Sequence, residues 1–498
     1  MKLKQFLFSA ALLASMNAIG QSVPTHEMYV DFGITERTDI VSALDKWQPG
    51  DNFSNDPDYQ DENFFISRVP LKSRFINQNT QANKNLNEEN NKNLCWCSPI
   101  GEMTKKWGPM PRYNFDGDNF NMWQYINIHA NWSNTWFRVP GTFNDVAHKN
   151  GVRTGCLYFI DWAEQVSATS SAGKMLAELC AKDGSGNFKY ARKLIQFLKY
   201  YGIDGLGLNP EGYWSTQLNE DFSSFLAECH KVAKEMNHPF HVEWYAFVSN
   251  TGGLNDNGCK LEIGANDKWF HKNGNPVTDV FFLNYNWSES GLQTSAEAAK
   301  SLGRSTYDVY AGFDQQGRGY GKYGNAGWTA LMRQPVSIVV WGAHDRSQLY
   351  AGSTEGGNSD LSVQNEYQKK QELLFTGGSR NVLRTPDITD DAITSSYSDL
   401  AKWHGYSKAV IEESALTELP FVTRFNLGNG LSFSKDGVVT FEHKWYNLGL
   451  QDLLPTWRWW IDNGDGTTIP ADPINCDFTF DDAWFGGSCL KLHGATSK

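Results

Sequence analysis

An amide and a carboxyl stand two residues apart in the stretch YGIDGLGLNPEGYW, at Asn209 and Glu211, with Pro210 between them. Side chains two apart on an extended segment point the same way, so the pair should face one cavity. Pro210 fixes its own φ and has no N–H to satisfy, which suits a rigid strand exit. A carboxyl at an apolar, aromatic mouth has a raised pKa, keeps its proton near neutrality and can serve as a general acid. The plainer reading is a solvated loop carboxyl beside a turn-forming Asn.

Such a pair needs rigid elements behind it. From about residue 94 short apolar, β-branched or aromatic runs recur: NLCWC, YINIHANW, RTGCLYFIDW, GIDGLGLN, FHVEWYAF, DVFFLNYNW, YDVYAGFD and VSIVVWGAH. Helix-like stretches such as FKYARKLIQFLKYYG and EDFSSFLAECHKVAKEM lie between them. Continuous apolar strands alternating with helices indicate parallel β in βα units. Eight of them predict an α/β fold, a (β/α)8 TIM barrel over 94–380 closed by a helix at 363–375. An open doubly wound sheet is the alternative, weakened because no Gly-rich phosphate loop follows the first strand. Short strands and Gly-centred turns then predict a C-terminal β-sandwich over 381–475. Residues 476–498 would either pair with it or open a further β module. Residues 21–93 read as an irregular segment ending in an Asn-rich loop.

In a parallel barrel the site lies at the C-terminal strand ends. Polar and aromatic residues fall there: Asp161 and Trp162, Asn209 and Glu211, Trp244 and Tyr245, then Asn284, Tyr285 and Trp287, then Asp314, then Trp341 and His344. The predicted mouth is aromatic and poor in carboxylates. Flat aromatic faces suit sugar rings, and Trp and Tyr commonly line small-molecule sites.

The 498 residues carry 19 Trp, 20 Tyr and 30 Phe and a formal net charge of -12. That charge argues against nucleic acid and anionic membrane as partners. Lys2 and Lys4 precede the apolar run Phe6–Met16 and the small residues NAIGQS, a pattern that predicts a signal peptide over 1–20 and an exported protein. The run is too short to span a bilayer. The eight Cys match no metal signature, and several sit in apolar contexts where a free Cys packs as a small hydrophobe. Neither metal nor cofactor is expected: DNGDGT lacks a closing bidentate Glu, and HPFH precedes the fifth strand on the wrong barrel face.

The frame DGLGLNPE resembles the chitinase-type motif DG-x-D-x-D-x-E at the end of the fourth strand, with Gly207 and Asn209 in place of the two later Asp. Asn at the second of these resembles glycoside hydrolase family 85, the endo-β-N-acetylglucosaminidases. FFLNYNW, GFDQQGRGYG, VEWYAF, WYNLGLQDLLPTWRWW and FTFDDAWFGGSCLKL resemble that family's segments in the same order. The chain departs from the family at Pro210, where an aliphatic residue is usual, and at Ala246, where Asp is common. The resemblance implies a retaining hydrolase that cuts between the two N-acetylglucosamines of N-linked glycans on glycoproteins, through an oxazoline formed by the substrate's acetamide. It implies Glu211 as acid and base, Asn209 as holder of the acetamide and Tyr245 as a donor to it. Asp314 would bind a sugar hydroxyl. Asn284, Tyr285, Trp287, Trp244, Trp162 and Trp341 would line the pocket, and the protein would act as a monomer. The rival readings are a chitinase-like hydrolase and an inactive glycan-binding protein.

Overall fold

The structure is a computed structural model describing residues 39–50, 66–87, 89–98, 120–131, 136–137, 139, 141–255, 258–318, 327–342, 361–378, 385–390, 402–454, 461–465, 470 and 474–494. The expected signal peptide and His344 lie outside these residues, as does part of GFDQQGRGYG.

Eight strands close a barrel: β1 Leu94–Ser98, β2 Ile128–Asn131, β3 Arg153–Ile160, β4 Gly205–Pro210, β5 His241–Tyr245, β6 Val280–Leu283, β7 Val309–Asp314 and β8 Ser337–Trp341. Each pairs in parallel with its chain neighbours, and β8 closes on β1 through Val339↔Cys95 and Trp341↔Cys97. The strands are buried on both faces, which is why they read as unbroken apolar runs. Helices include α1 Gly141–Lys149, α2 Ala191–Tyr201, α3 Thr216–Glu235, α4 Glu289–Ser301, α5 Trp328–Arg333 and α6 Leu361–Thr376. Local chemistry sets several ends. Ser215 and Ser288 cap α3 and α4 by accepting from Leu218 N and Gly291 N, and Gly202 ends α2 at φ 73°.

Two cores result. Residues pointing out of the barrel join the helices in a large outer core; residues pointing in form a small inner one, with Cys95, Cys97, Ile128, Leu157, Phe282 and Val339. Cys95, Cys97, Cys156, Cys180 and Cys229 are free thiols buried as packing residues.

Beyond the barrel the chain forms short antiparallel sheets. Phe433–Lys435 is flanked by Val438–Phe441 and Phe485–Gly486, so the last segment pairs with the β region before it. Asn475–Thr479 pairs with Cys489–His493. This region is tied to the barrel through Gln451, whose Oε1 accepts from Trp123 Nε1 at 2.7 Å while its Nε2 donates to Phe120 O at 3.1 Å. No described helix is long and apolar enough to cross a membrane.

Candidate active site

The C-terminal mouth of the barrel opens into a hollow of about 280 Å³. Asn209, Glu211, Tyr245, Tyr285, Trp341, Cys95, Cys97, Leu157, Val339 and Glu243 are among the residues that line it. Leu208 pairs with Trp244, so the next residues, Asn209 and Tyr245, stand level on neighbouring strands.

Asn209 Nδ2 donates to Glu211 Oε2 at 2.8 Å, so the two side chains converge as alternation predicts. Asn209 is buried and Glu211 half-buried. Burial raises the Glu211 pKa above the usual carboxylate range; the Asn209 bond opposes this and the Asp161 charge adds to it. The loops around Glu211 are braced. Ala163 N donates to Glu211 O at 2.7 Å, and Tyr213 N donates to Glu164 O at 2.7 Å. A Cβ on Gly212 would meet Val166 Cγ2 at 2.5 Å, so the residue after the acid must be glycine for this close approach. Asp204, which opens the DG frame, has a structural task at the other barrel end: its Oδ2 accepts from Thr154 N at 2.8 Å and lies 2.9 Å from His148 Nε2.

Tyr245 is raised in pKa by burial and then by the Glu211 charge, so it stays a neutral hydroxyl donor. Tyr285 is raised too, by burial first and then by Tyr245 and the Asp314 charge. Their rings lie 6.0 Å apart, and Arg318 sits 5.8 Å over Tyr285. Asp314 ends β7 at the rim, 4.0 Å from Arg318 Nε, and its charge reaches both tyrosines. Trp162 is 59% exposed at the rim, edge-on to Phe247 at 5.3 Å.

Of the expected pocket residues, Trp287 and Asn284 do not line the hollow, and Trp244 lines it while its indole packs in the outer core. Trp244 is fully buried in the outer core, stacked on Trp269 at 3.9 Å, because strand alternation turns it away when Tyr245 turns in. Trp287 is also buried there, donating from Nε1 to Gly312 O at 2.9 Å, since the chain turns after β6 ends at Leu283. Asn284 closes that turn, its Oδ1 accepting from Asn286 N at 3.2 Å.

The sequence reading missed Glu243, His241 and the braces just described. Glu243 is 3% exposed at the floor, 2.8 Å from His241 Nε2, and burial pushes its pKa up to about 8. The signal was present: Glu243 stands two before Tyr245 and shares its face. Among the described residues no three His, Cys, Asp or Glu group as metal ligands.

Comparison with known proteins agrees with this geometry. The chain is 23% identical over 500 residues to a cytosolic endo-beta-N-acetylglucosaminidase of Gallus gallus, covering 96% of this chain and 55% of the relative. A cytosolic endo-beta-N-acetylglucosaminidase of Danio rerio is 25% identical over 75% of this chain and 45% of its own length. The chain thus spans about half the length of the curated relatives it matches. The glycoside hydrolase domain of Endo-D from Streptococcus pneumoniae R6 superposes with a TM-score of 0.73 at 25% identity, covering 91% of this chain and 65% of that one.

These relatives are named as cytosolic, and on that finding the expectation of a secreted, signal-peptide-bearing protein is withdrawn. Two lysines, a short apolar run and the small residues after it were its basis, and that pattern does not by itself specify export. The barrel, the amide–carboxyl pair at its fourth strand and the match of residues 104–433 to the family model lead to one assignment: the chain belongs to glycosyl hydrolase family 85.

Proposed function

We propose that the chain is a retaining endo-β-N-acetylglucosaminidase that hydrolyses the β-1,4 bond between the two N-acetylglucosamines of the N-glycan core, with the substrate's own acetamide as nucleophile. The observation that carries this reading is the Asn209–Glu211 pair, bonded at 2.8 Å at the mouth of a hollow that also receives Tyr245. Retaining glycosidases with two protein carboxylates need a second one about 5 Å away as nucleophile. Among the described residues, Asp161 and Asp314 do not line the hollow, and Glu243 lies buried at its floor.

In the first step the acetamide oxygen attacks the anomeric carbon and the glycosidic bond breaks. Glu211, kept protonated by its partly apolar setting, gives its proton to the departing oxygen. Asn209 Nδ2 is engaged with Glu211, so Oδ1 is the atom left to accept from the acetamide N–H. Tyr245 donates to the acetamide oxygen side and holds it in attack geometry. In the second step water attacks the oxazoline, Glu211 takes its proton, and configuration is retained. Trp162 and Trp341 offer faces to the sugars at rim and wall.

The test is incubation with a high-mannose glycoprotein, read by mass. Loss of the glycan down to one remaining N-acetylglucosamine is expected. Cleavage of chitin oligomers with the glycoprotein untouched would replace this reading by a chitinase. No cleavage of either by folded protein would replace it by a binding protein.

A further inference from the structure

Glu243 is unusual in what surrounds it. It faces the barrel interior from β5, in register with Gly207 of β4. A Cβ on Gly207 would lie 2.7 Å from Glu243 Oε2, and one on Gly155 would lie 2.6 Å from Oε1. A Cβ on Gly205 would lie 2.3 Å from the His241 ring. Three glycines on two strands therefore make room for two polar side chains from a third. Oε1 is 2.8 Å from His241 Nε2, while Oε2 has no hydrogen-bond partner among the described residues. A buried oxygen left unpaired costs about 1–3 kcal/mol, so a partner from solvent or ligand is expected. Asn209 is the next inward residue above Gly207, roughly 6.6 Å along the strand, and lines the same hollow as Glu243. Both polar side chains thus front one hollow, where a water can bridge them.

We propose that Glu243 is a positioning residue: through one water at the floor of the hollow, its unpartnered oxygen holds the Asn209 carboxamide with the amide oxygen turned toward the substrate. This rests on the reading that Asn209 receives the substrate amide. The donors run in one direction. Burial keeps the proton on Glu243 and off His241, so Glu243 O–H donates to His241 Nε2 and Oε2 is an acceptor. The water donates to Oε2 and accepts from the second Nδ2 hydrogen of Asn209, whose first goes to Glu211. With both amide hydrogens committed, the carboxamide cannot flip without losing two bonds. The other titratable groups coupled to Glu243 through charge are Arg153, Asp279, Cys95, Cys97 and Cys156. None of these bonds Oε2 among the described residues.

The experiment measures kcat and KM on a high-mannose glycopeptide for wild type, Glu243→Met, Glu243→Gln, Asn209→Ala and the double variant Asn209→Ala/Glu243→Met. Met fills the same volume without an acceptor, and kcat should fall at least tenfold with Tm unchanged. Gln donates to His241 and keeps an oxygen at the floor, so it should stay within threefold of wild type. On the Asn209→Ala background Glu243→Met should cost nothing further. Equal loss on both backgrounds, or Gln as harmful as Met, overturns the proposal and leaves the proposed function standing. Full activity of Asn209→Ala overturns the proposed function itself. If Glu243→Met shows no melting transition, Gly207→Ala displaces the same carboxyl. The same kcat loss is then expected, and wild-type activity in folded Gly207→Ala overturns the proposal.

Discussion

Replacing Glu211 by Gln tests the acid directly. The substitution keeps size and planar shape and can retain a hydrogen bond with Asn209, but it has no proton to give. A positioned general acid contributes about 10²–10⁴ in rate, or about 2.7–5.5 kcal/mol of barrier. Here that acid also serves as the base of the second step, so the upper part of the range is expected. Stability should respond in the opposite sense. The folded pKa of Glu211 is raised, so the folded state holds its proton more tightly than the unfolded chain. Its contribution is fully present below the unfolded pKa and is lost as pH rises through the folded one. Removing the carboxyl should therefore leave stability at neutral pH unchanged or slightly higher. The assay pairs the rate of glycan release, read by mass, with thermal melting at pH 7. Activity down at least about a hundredfold with an intact melting transition is the expected outcome. Glycan release within tenfold of wild type would show that another group supplies the proton, and the reasoning from the strand-end pair would be wrong.

Four further outcomes follow from the geometry. Trp244→Ala should cost about 3–5 kcal/mol of stability, seen in denaturant unfolding, because the indole is fully buried against Trp269. Trp162→Ala, at an exposed rim position, should raise KM and leave Tm in place, as steady-state kinetics and melting will show. Gly212→Ala should lower kcat at least about tenfold in a folded protein, since the new methyl pushes on the Val166 side chain and shifts the loop that carries Glu211. Glu243 titrates near 8 in the fold against an ordinary 4.5, so its stabilising contribution is lost as pH rises across that window. Between about pH 5 and 8 wild-type stability should fall more steeply than that of Glu243→Gln, by up to about 1.4 kcal/mol per pH unit, as unfolding curves at several pH values will show.

The barrel was legible because parallel strands buried on both faces leave unbroken apolar runs, and all eight runs became strands. The Asn209–Glu211 pair was legible because alternation holds through the end of β4. The same rule, applied to VEWYAF, would have separated Tyr245 from Trp244 and turned Glu243 inward with Tyr245. Aromatic type alone drew Trp287 and the Trp244 indole into the pocket, although most large aromatics here pack between barrel and helices. Trp287 could not be placed by period, since it follows a turn. The braces on Glu211 and the space around Glu243 depend on register between strands, which no local pattern in one strand reveals.

The glycines beside Glu243 bind the histories of two strands together. A side chain can return at position 207 only if the residue at 243 shortens, and a long residue at 243 can persist only while 207 stays bare. These positions, 36 apart in the chain but paired across the sheet, are constrained together, and Leu157 Cδ1, also 2.7 Å from a Cβ at 207, shares in the constraint. Anyone grafting another family member's fourth strand into this barrel would have to carry the fifth along with it.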